Sequence, residues 1–134
     1  MDKKKILMVD DEVKFCKMVK KNLESMGLYE VETVTEAAKA LETAQRLLPD
    51  LILMDVIMPD MRGSSVAVQI KQDPKLKNIP IIFITALAAK GTQELFMGVV
   101  DGNPFYAKPV LPKPINPIEL EAQIRICLEG LKEP

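Results

Sequence analysis

Histidine is absent from the 134-residue chain. Its absence excludes a Ser-His or Cys-His nucleophile pair, a His-ligated metal centre and a phosphohistidine carrier. Cysteine is scarce: Cys16 and Cys127 are the only two, and both sit in helix-like patterns. They read as core thiols in a reducing compartment, not as a disulfide frame. Long hydrophobic runs are missing too. The apolar runs stop at four or five residues, too short to span a bilayer. The opening MDKKKILMVDDE is no signal peptide, because its short apolar run ends in acids with no small-residue cleavage site. A cytoplasmic location without membrane contact is expected. Neither charge sign dominates, and the net charge is −1. No bulk electrostatic attraction to nucleic acid or an anionic surface results.

What is present fits an ordinary globular chain, 48% hydrophobic and 28% charged. One domain over 1–134 is expected, with its core about 4–131. Four-residue apolar runs recur at Ile6–Val9, Leu51–Met54 and Ile81–Ile84. Continuous rather than alternating runs predict strands buried on both faces, as in a parallel sheet. YEVETV, residues 29–34, alternates instead and predicts an edge strand with one wetter face.

Helical patterns lie between these runs. Phe15, Val19, Leu23 and Met26 form one stripe, with Gly27 as its stop. Ala37, Leu41, Ala44 and Leu48 form a second, with Thr35 as N-cap and Pro49 as terminator. SSVAVQIKQD predicts a third helix capped by Ser64, and AAKGTQELFMGVV a fourth, interrupted by Gly91. The last helix opens with Asn116 as cap, Pro117 in the first turn and Glu119 at the third position. Leu120, Ile124, Cys127 and Leu131 make its buried stripe. Strand and helix alternate about five times, which predicts a doubly wound α/β sandwich around a parallel sheet.

The chemistry lies just past the end of each apolar run. After Val9 come Asp10, Asp11 and Glu12; after Met54 comes Asp55; after Ile84 comes Thr85. Parallel strands gather these groups at one sheet edge, where open α/β folds bind ligands. Two carboxylates at ~4 Å repel by about 4 kcal/mol at an effective dielectric near 20. Either one carboxyl protonates or a cation sits between them. All-oxygen ligands suit a hard divalent ion, Mg²⁺ or Mn²⁺. A hydroxyl and an ammonium on the same rim are groups suited to holding a phosphoryl group. Any one acid alone reads better as a helix cap or a solvated loop charge. The four strand ends together do not.

VDDE at the end of the first strand, LILMDVIMPDMRG, FITA and PKPINPIEL succeed one another along the chain. In that order they resemble the receiver domains of bacterial two-component response regulators, from Lys4 to about Leu131. The resemblance implies a flavodoxin-like receiver fold: five parallel strands in the order 2-1-3-4-5 with five helices. Asp55 would be the phosphoacceptor. Asp11 and Asp55 would bind Mg²⁺ directly, with the backbone carbonyl of Ile57 as a third ligand, and Asp10 would support the metal site directly or through water. Thr85 and a lysine would contact the phosphoryl oxygens. Met58-Pro59 and Gly63 would shape the loop behind the nucleophile. The donor would be a sensor histidine kinase or a histidine phosphotransfer protein. A homodimer is possible, and the downstream effector is not readable. Such a chain is no enzyme toward outside substrates; it catalyses only its own phosphorylation and dephosphorylation. Ile57 and Leu87, two residues after Asp55 and Thr85, cannot orient a water, so slow loss of the phosphoryl group is expected.

The lysine is doubled. FYAKPVLPKPINP holds Lys108-Pro109 and Lys113-Pro114. The family places an aromatic three residues before the lysine and the last helix soon after it. Lys108 has Phe105 upstream; Lys113 has the capped helix downstream. Either way the chain carries an insertion before or around the fifth strand. Prolines confine that strand to a short edge. Lys113 is preferred, because a site lysine leaves the strand where the chain turns into the last helix, with Pro114 fixing the bend as a cis peptide. Lys108 is the alternative and would then belong to an inserted loop or hairpin. With Lys113, Val110 occupies the position of the family's switch aromatic, and the switch would be altered or run through Phe105 or Tyr106; with Lys108, Phe105 would be the switch.

Rival readings differ in class. A metal-dependent phosphohydrolase of this kind usually carries a second acid two residues after the nucleophile, where this chain has Ile57. A phosphorylation-independent interaction module would not need the full acid set. A flavin-binding protein would need a phosphate-cradling loop after the first strand, where Asp10, Asp11 and Glu12 stand.

Overall fold

The computed structural model describes residues 2–56, 63–85, 97–100, 103–106 and 110–130. Five strands form one parallel sheet: β1 (Lys4–Val9), β2 (Tyr29–Val34), β3 (Leu51–Asp55), β4 (Ile81–Thr85) and β7 (Val110–Pro112). Their order is β2-β1-β3-β4-β7, the expected sequence of strands. Two more strands, β5 (Met97–Val100) and β6 (Asn103–Tyr106), pair antiparallel in a hairpin of their own. Among the described residues, the helices are α1 (Val13–Glu24), α2 (Ala40–Leu47), α3 (Gly63–Gln72) and α4 (Pro117–Gly130), with a 3₁₀ turn at Ala37–Lys39.

The period of two along each strand divides the core. Leu7, Val9, Ile52, Met54 and Phe83 join Ala40, Ala44, Val66, Ala67 and Ile70 on the face covered by α2 and α3. Ile6, Met8, Leu51, Leu53, Ile82, Ile84 and Leu111 join Cys16, Val19, Leu23, Leu120 and Ile124 on the face covered by α1 and α4. Both faces of β1 and β3 are therefore buried, which is why their sequences are continuously apolar. Each fully buried Leu, Ile or Met contributes roughly 1.5–3 kcal/mol relative to exposure. β2 is an edge: Tyr29 and Val31 are buried, while Glu30 is exposed.

The helix ends obey local chemistry. Gly27, just past α1, has φ +77°, a region that costs glycine nothing and an L side chain something. Asn116 caps α4 by accepting from the N–H groups of Ile118 at 2.9 Å and Glu119 at 3.2 Å.

Four local expectations change. Residues 97–100, expected in the fourth helix, form β5; Gly98 weakens a helix, Val99 and Val100 favour a strand, and only Asp101-Gly102 separates Val100 from its partner Asn103. Leu48, expected in a buried stripe, is 52% exposed. It caps α2 in the left-handed region, φ 49°, a common way for a helix to end, and Pro49 keeps the helix from continuing. Thr35 does not cap this segment: the 3₁₀ turn starts after Glu36, without a side-chain cap. Met26 lies past the end of α1 and is 38% exposed.

Candidate functional site

The parity that divides the core also builds the site. Asp10 stands two residues beyond Met8, Asp55 two beyond Leu53, and Lys113 two beyond Leu111. All three extend rows that face α1 and α4. The register Val9↔Met54 brings the ends of β1 and β3 level, so Asp10 and Asp55 meet. Asp11 joins from the loop into α1. One oxygen from each of Asp10, Asp11 and Asp55 lies within 4.8 Å of the others.

Asp10 is fully buried and Asp55 nearly so. Asp10 Oδ1 accepts from the Glu12 N–H at 2.9 Å, closing the turn that starts α1. Asp10 Oδ2 is 2.9 Å from Lys113 Nζ, yet it has no aligned hydrogen-bond donor among the described residues. The contact is a close ion pair whose hydrogen-bond geometry is poor. Burial pushes the Asp10 carboxyl above the ordinary carboxylate range, against the pull of the Glu12 N–H and of Lys113. On the other side of this strand end, the Cys16 thiol donates to the Asp10 carbonyl at 3.2 Å. Burial and then the Asp10 charge push that thiol to about 12, so it stays a protonated donor and is not a nucleophile.

Lys113 Nζ is the hub. It lies 2.5 Å from Glu12 Oε1 and 3.8 Å from Asp55 Oδ2, and 4.5 Å from the centroid of the Phe15 ring. Burial alone would lower the ammonium's pKa. Hydrogen bonds to Glu12 and Asp10 and the charges of Asp10 and Asp55 outweigh it, and the ammonium is held charged. The Lys113–Pro114 bond is cis.

Thr85 ends β4, opposite Pro112 in the register. Gly63 opens α3 and Val110 opens β7. Phe105 and Tyr106 lie on β6, paired with Gly98 and Met97. Ile57, Met58, Pro59, Leu87 and Lys108 lie outside the described residues. Sequence reasoning misses the contacts of Glu12 and Phe15 with Lys113. Phe15 reads as part of the core stripe of α1, and the signal that could have found its second contact is its place one turn after Asp11.

A three-carboxylate edge with one ammonium, at the carboxyl ends of a doubly wound parallel sheet, is the arrangement of a phosphoryl-accepting receiver. A family model described as response regulator receiver domain matches residues 6–125, and the chain belongs to that family of two-component signalling domains. Response regulator PleD of Caulobacter vibrioides is 38% identical over 121 residues, 90% of this chain and 25% of that protein. The probable transcriptional regulator ycf27 of Cyanophora paradoxa is 34% identical over 134 residues, 100% of this chain and 52% of that protein. The chain thus spans a quarter to about half the length of these relatives. The chemotaxis response regulator CheY4 of Vibrio cholerae matches in structure with a TM-score of 0.81 and 30% identity, covering 95% of this chain and 100% of that one. Among the described residues, no helix is long and apolar enough to cross a membrane.

Proposed function

We propose that the chain acts as one receiver unit that takes a phosphoryl group on Asp55 from a phosphohistidine of a sensor kinase or a transfer protein. The observation that carries the proposal is the convergence of Asp10, Asp11, Asp55 and Lys113 at one sheet edge. Among the described residues, the carboxylates of Asp10, Asp11, Asp55 and Glu12 outnumber the Lys113 ammonium, and Asp10 Oδ2 is buried without an aligned donor. Both features suit a hard divalent cation, Mg²⁺ or Mn²⁺, held by the carboxylates of Asp10, Asp11 and Asp55 and by the carbonyl of Ile57. When bound, that ion would neutralise the carboxylates and the incoming phosphoryl oxygens.

The chain's own groups do the rest. A carboxylate oxygen of Asp55 attacks phosphorus, and an O–P bond forms as the donor's N–P bond breaks. The electron pair goes to the imidazole nitrogen, which takes a proton from solvent. Lys113 is already charged and needs to move little to meet a phosphoryl oxygen, since its Nζ is 3.8 Å from Asp55 Oδ2. The Thr85 hydroxyl donates to a second phosphoryl oxygen. Ile57, in place of a second acid, favours a stable acyl phosphate over turnover of outside substrates.

Intact-mass spectrometry with phosphoramidate and Mg²⁺ tests the reading. One phosphoryl group is expected on the wild type. None is expected on Asp55→Asn or after chelation of the metal. Equal labelling of Asp55→Asn would overturn the assignment.

A further inference from the structure

Among the described residues, four groups surround the Lys113 ammonium: the carboxylates of Asp10, Glu12 and Asp55, and the ring of Phe15. The carboxylates explain its charge but not its position. With three acceptors in reach, a flexible four-carbon side chain has several ways to pair. The Lys113 side chain is only 13% exposed, so few of those positions stay solvated. Phe15 is half-buried and packed against the α1/α4 core, and its helix is anchored by Cys16, Val19 and Leu23. The ring is therefore a fixed object. Its face attracts a cation through the quadrupole but offers no lone pair to compete with a phosphoryl oxygen.

We propose that Phe15 is a positioning residue for phosphorylation: its ring holds the Lys113 ammonium beside Asp55 and fills space that water would otherwise take. The inference rests on Asp55 being the phosphoacceptor. A fourth carboxylate, at position 15, would also attract the ammonium, but it would compete for it; an aromatic face restrains the cation and releases it to the phosphoryl group. Leucine would fill the same core position without that attraction, so the structural role and the positioning role are separable.

The test is a double-mutant cycle on the full chain with phosphoramidate and Mg²⁺, reading the initial phosphorylation rate against donor concentration. Phe15→Leu should lower the rate about five- to tenfold, the change expected of a partly desolvated cation–π contact. Phe15→Tyr should restore it. In a Lys113→Ala background, Phe15→Leu should have no further effect. A trifluorinated phenylalanine at position 15 keeps the ring's shape but weakens its negative face, and should lower the rate like leucine even if Phe15→Leu folds poorly. The Lys113 ε-methylene protons should show a ring-current shift in the wild type and in Phe15→Tyr, and lose it in Phe15→Leu. Equal losses with and without Lys113, or a trifluorinated protein as fast as the wild type, would overturn the role of Phe15. An unlabelled wild type would instead overturn the phosphoacceptor reading, and the positioning role with it.

Discussion

β2 and β7 are both edge strands, yet β2 pairs with β1 over six residues and β7 with β4 over three. The outer side of β2 is covered by side chains from α1: Lys20 Nζ donates to the Val31 carbonyl, and the Val31 N–H donates to Glu24 Oε2 at 3.0 Å. Tyr29, at its start, donates through its hydroxyl to Glu121 of α4 at 2.7 Å. β7 has none of this length. Pro112 and Pro114 lack an N–H to offer a neighbouring strand, so shortness and proline protect that edge. The difference separates two jobs. The long, covered edge holds α1, α4 and the sheet together. The short, proline-ended edge lets the chain leave the sheet right after Pro112 and present Lys113 to the carboxylates.

The two edges differ most in function at Lys113. Lys113→Ala should lower the phosphorylation rate about 10²- to 10³-fold, as for loss of one preorganised charge at a reacting centre. The melting temperature should fall as well in the absence of a divalent cation, because Asp10 and Asp55 lose their buried counter-charge, and Lys108→Ala should leave the rate within about twofold. A loss confined to Lys108→Ala would assign the β7 edge a different role. Next comes the anchor of β7. Leu111 is buried, and Leu111→Ala should cost about 2–4 kcal/mol in urea unfolding while also slowing phosphorylation, because Lys113 rides on it.

On the β2 side the effects should be smaller and purely structural. Tyr29→Phe removes a buried hydroxyl's hydrogen bond, a loss of about 1 kcal/mol, with the phosphorylation rate unchanged. Burial, then Glu121, raises the Tyr29 phenol to about 12. Its stabilising contribution is therefore complete below pH ~10, where an unfolded tyrosine keeps its proton, and is lost as pH rises toward 12. Alkaline unfolding monitored alongside tyrosinate absorbance should show this loss, and Tyr29→Phe should remove it. The smallest effect belongs to Glu24→Gln. The Val31 N–H and then Lys20 hold the Glu24 carboxyl below its ordinary range. That contribution is present at neutral pH and fades as pH falls through the carboxylate range. With the pair partly solvated it amounts to only about 0.5 kcal/mol.

Much of the fold and site was legible because short continuous apolar runs between helical patterns are a strong signal of a parallel sheet. Ile6–Val9 and Leu51–Met54 announce strands buried on both faces, and the acids after them inherit defined directions. Asn116 was readable as a cap because its chemistry is local. Other features were not, for equally physical reasons. Residues 97–100 sit in a stretch whose helical spacing outweighs the turn signal of Asp101-Gly102 and the two adjacent valines. Leu48 has the right spacing for a core stripe, but the helix ends there, before a proline that cannot continue it. Phe15 satisfies the core pattern whether or not a cation lies over its ring. Spacing reports which face a side chain takes, not which group arrives from 98 residues further along the chain.

The shared parity of Asp10, Asp55 and Lys113 also sets a rule for anyone rebuilding this protein. Each of the three sits two steps from a core residue on the same face. Lengthening β1, β3 or β7 by one residue between that core position and the rim would turn the functional group to the opposite side of the sheet, while the hydrophobic content stayed the same. Insertions of two residues would keep its direction and displace it by about 6.6 Å. The site can thus be advanced or withdrawn along the strands only in whole pleats, and its residues cannot be retuned one position at a time.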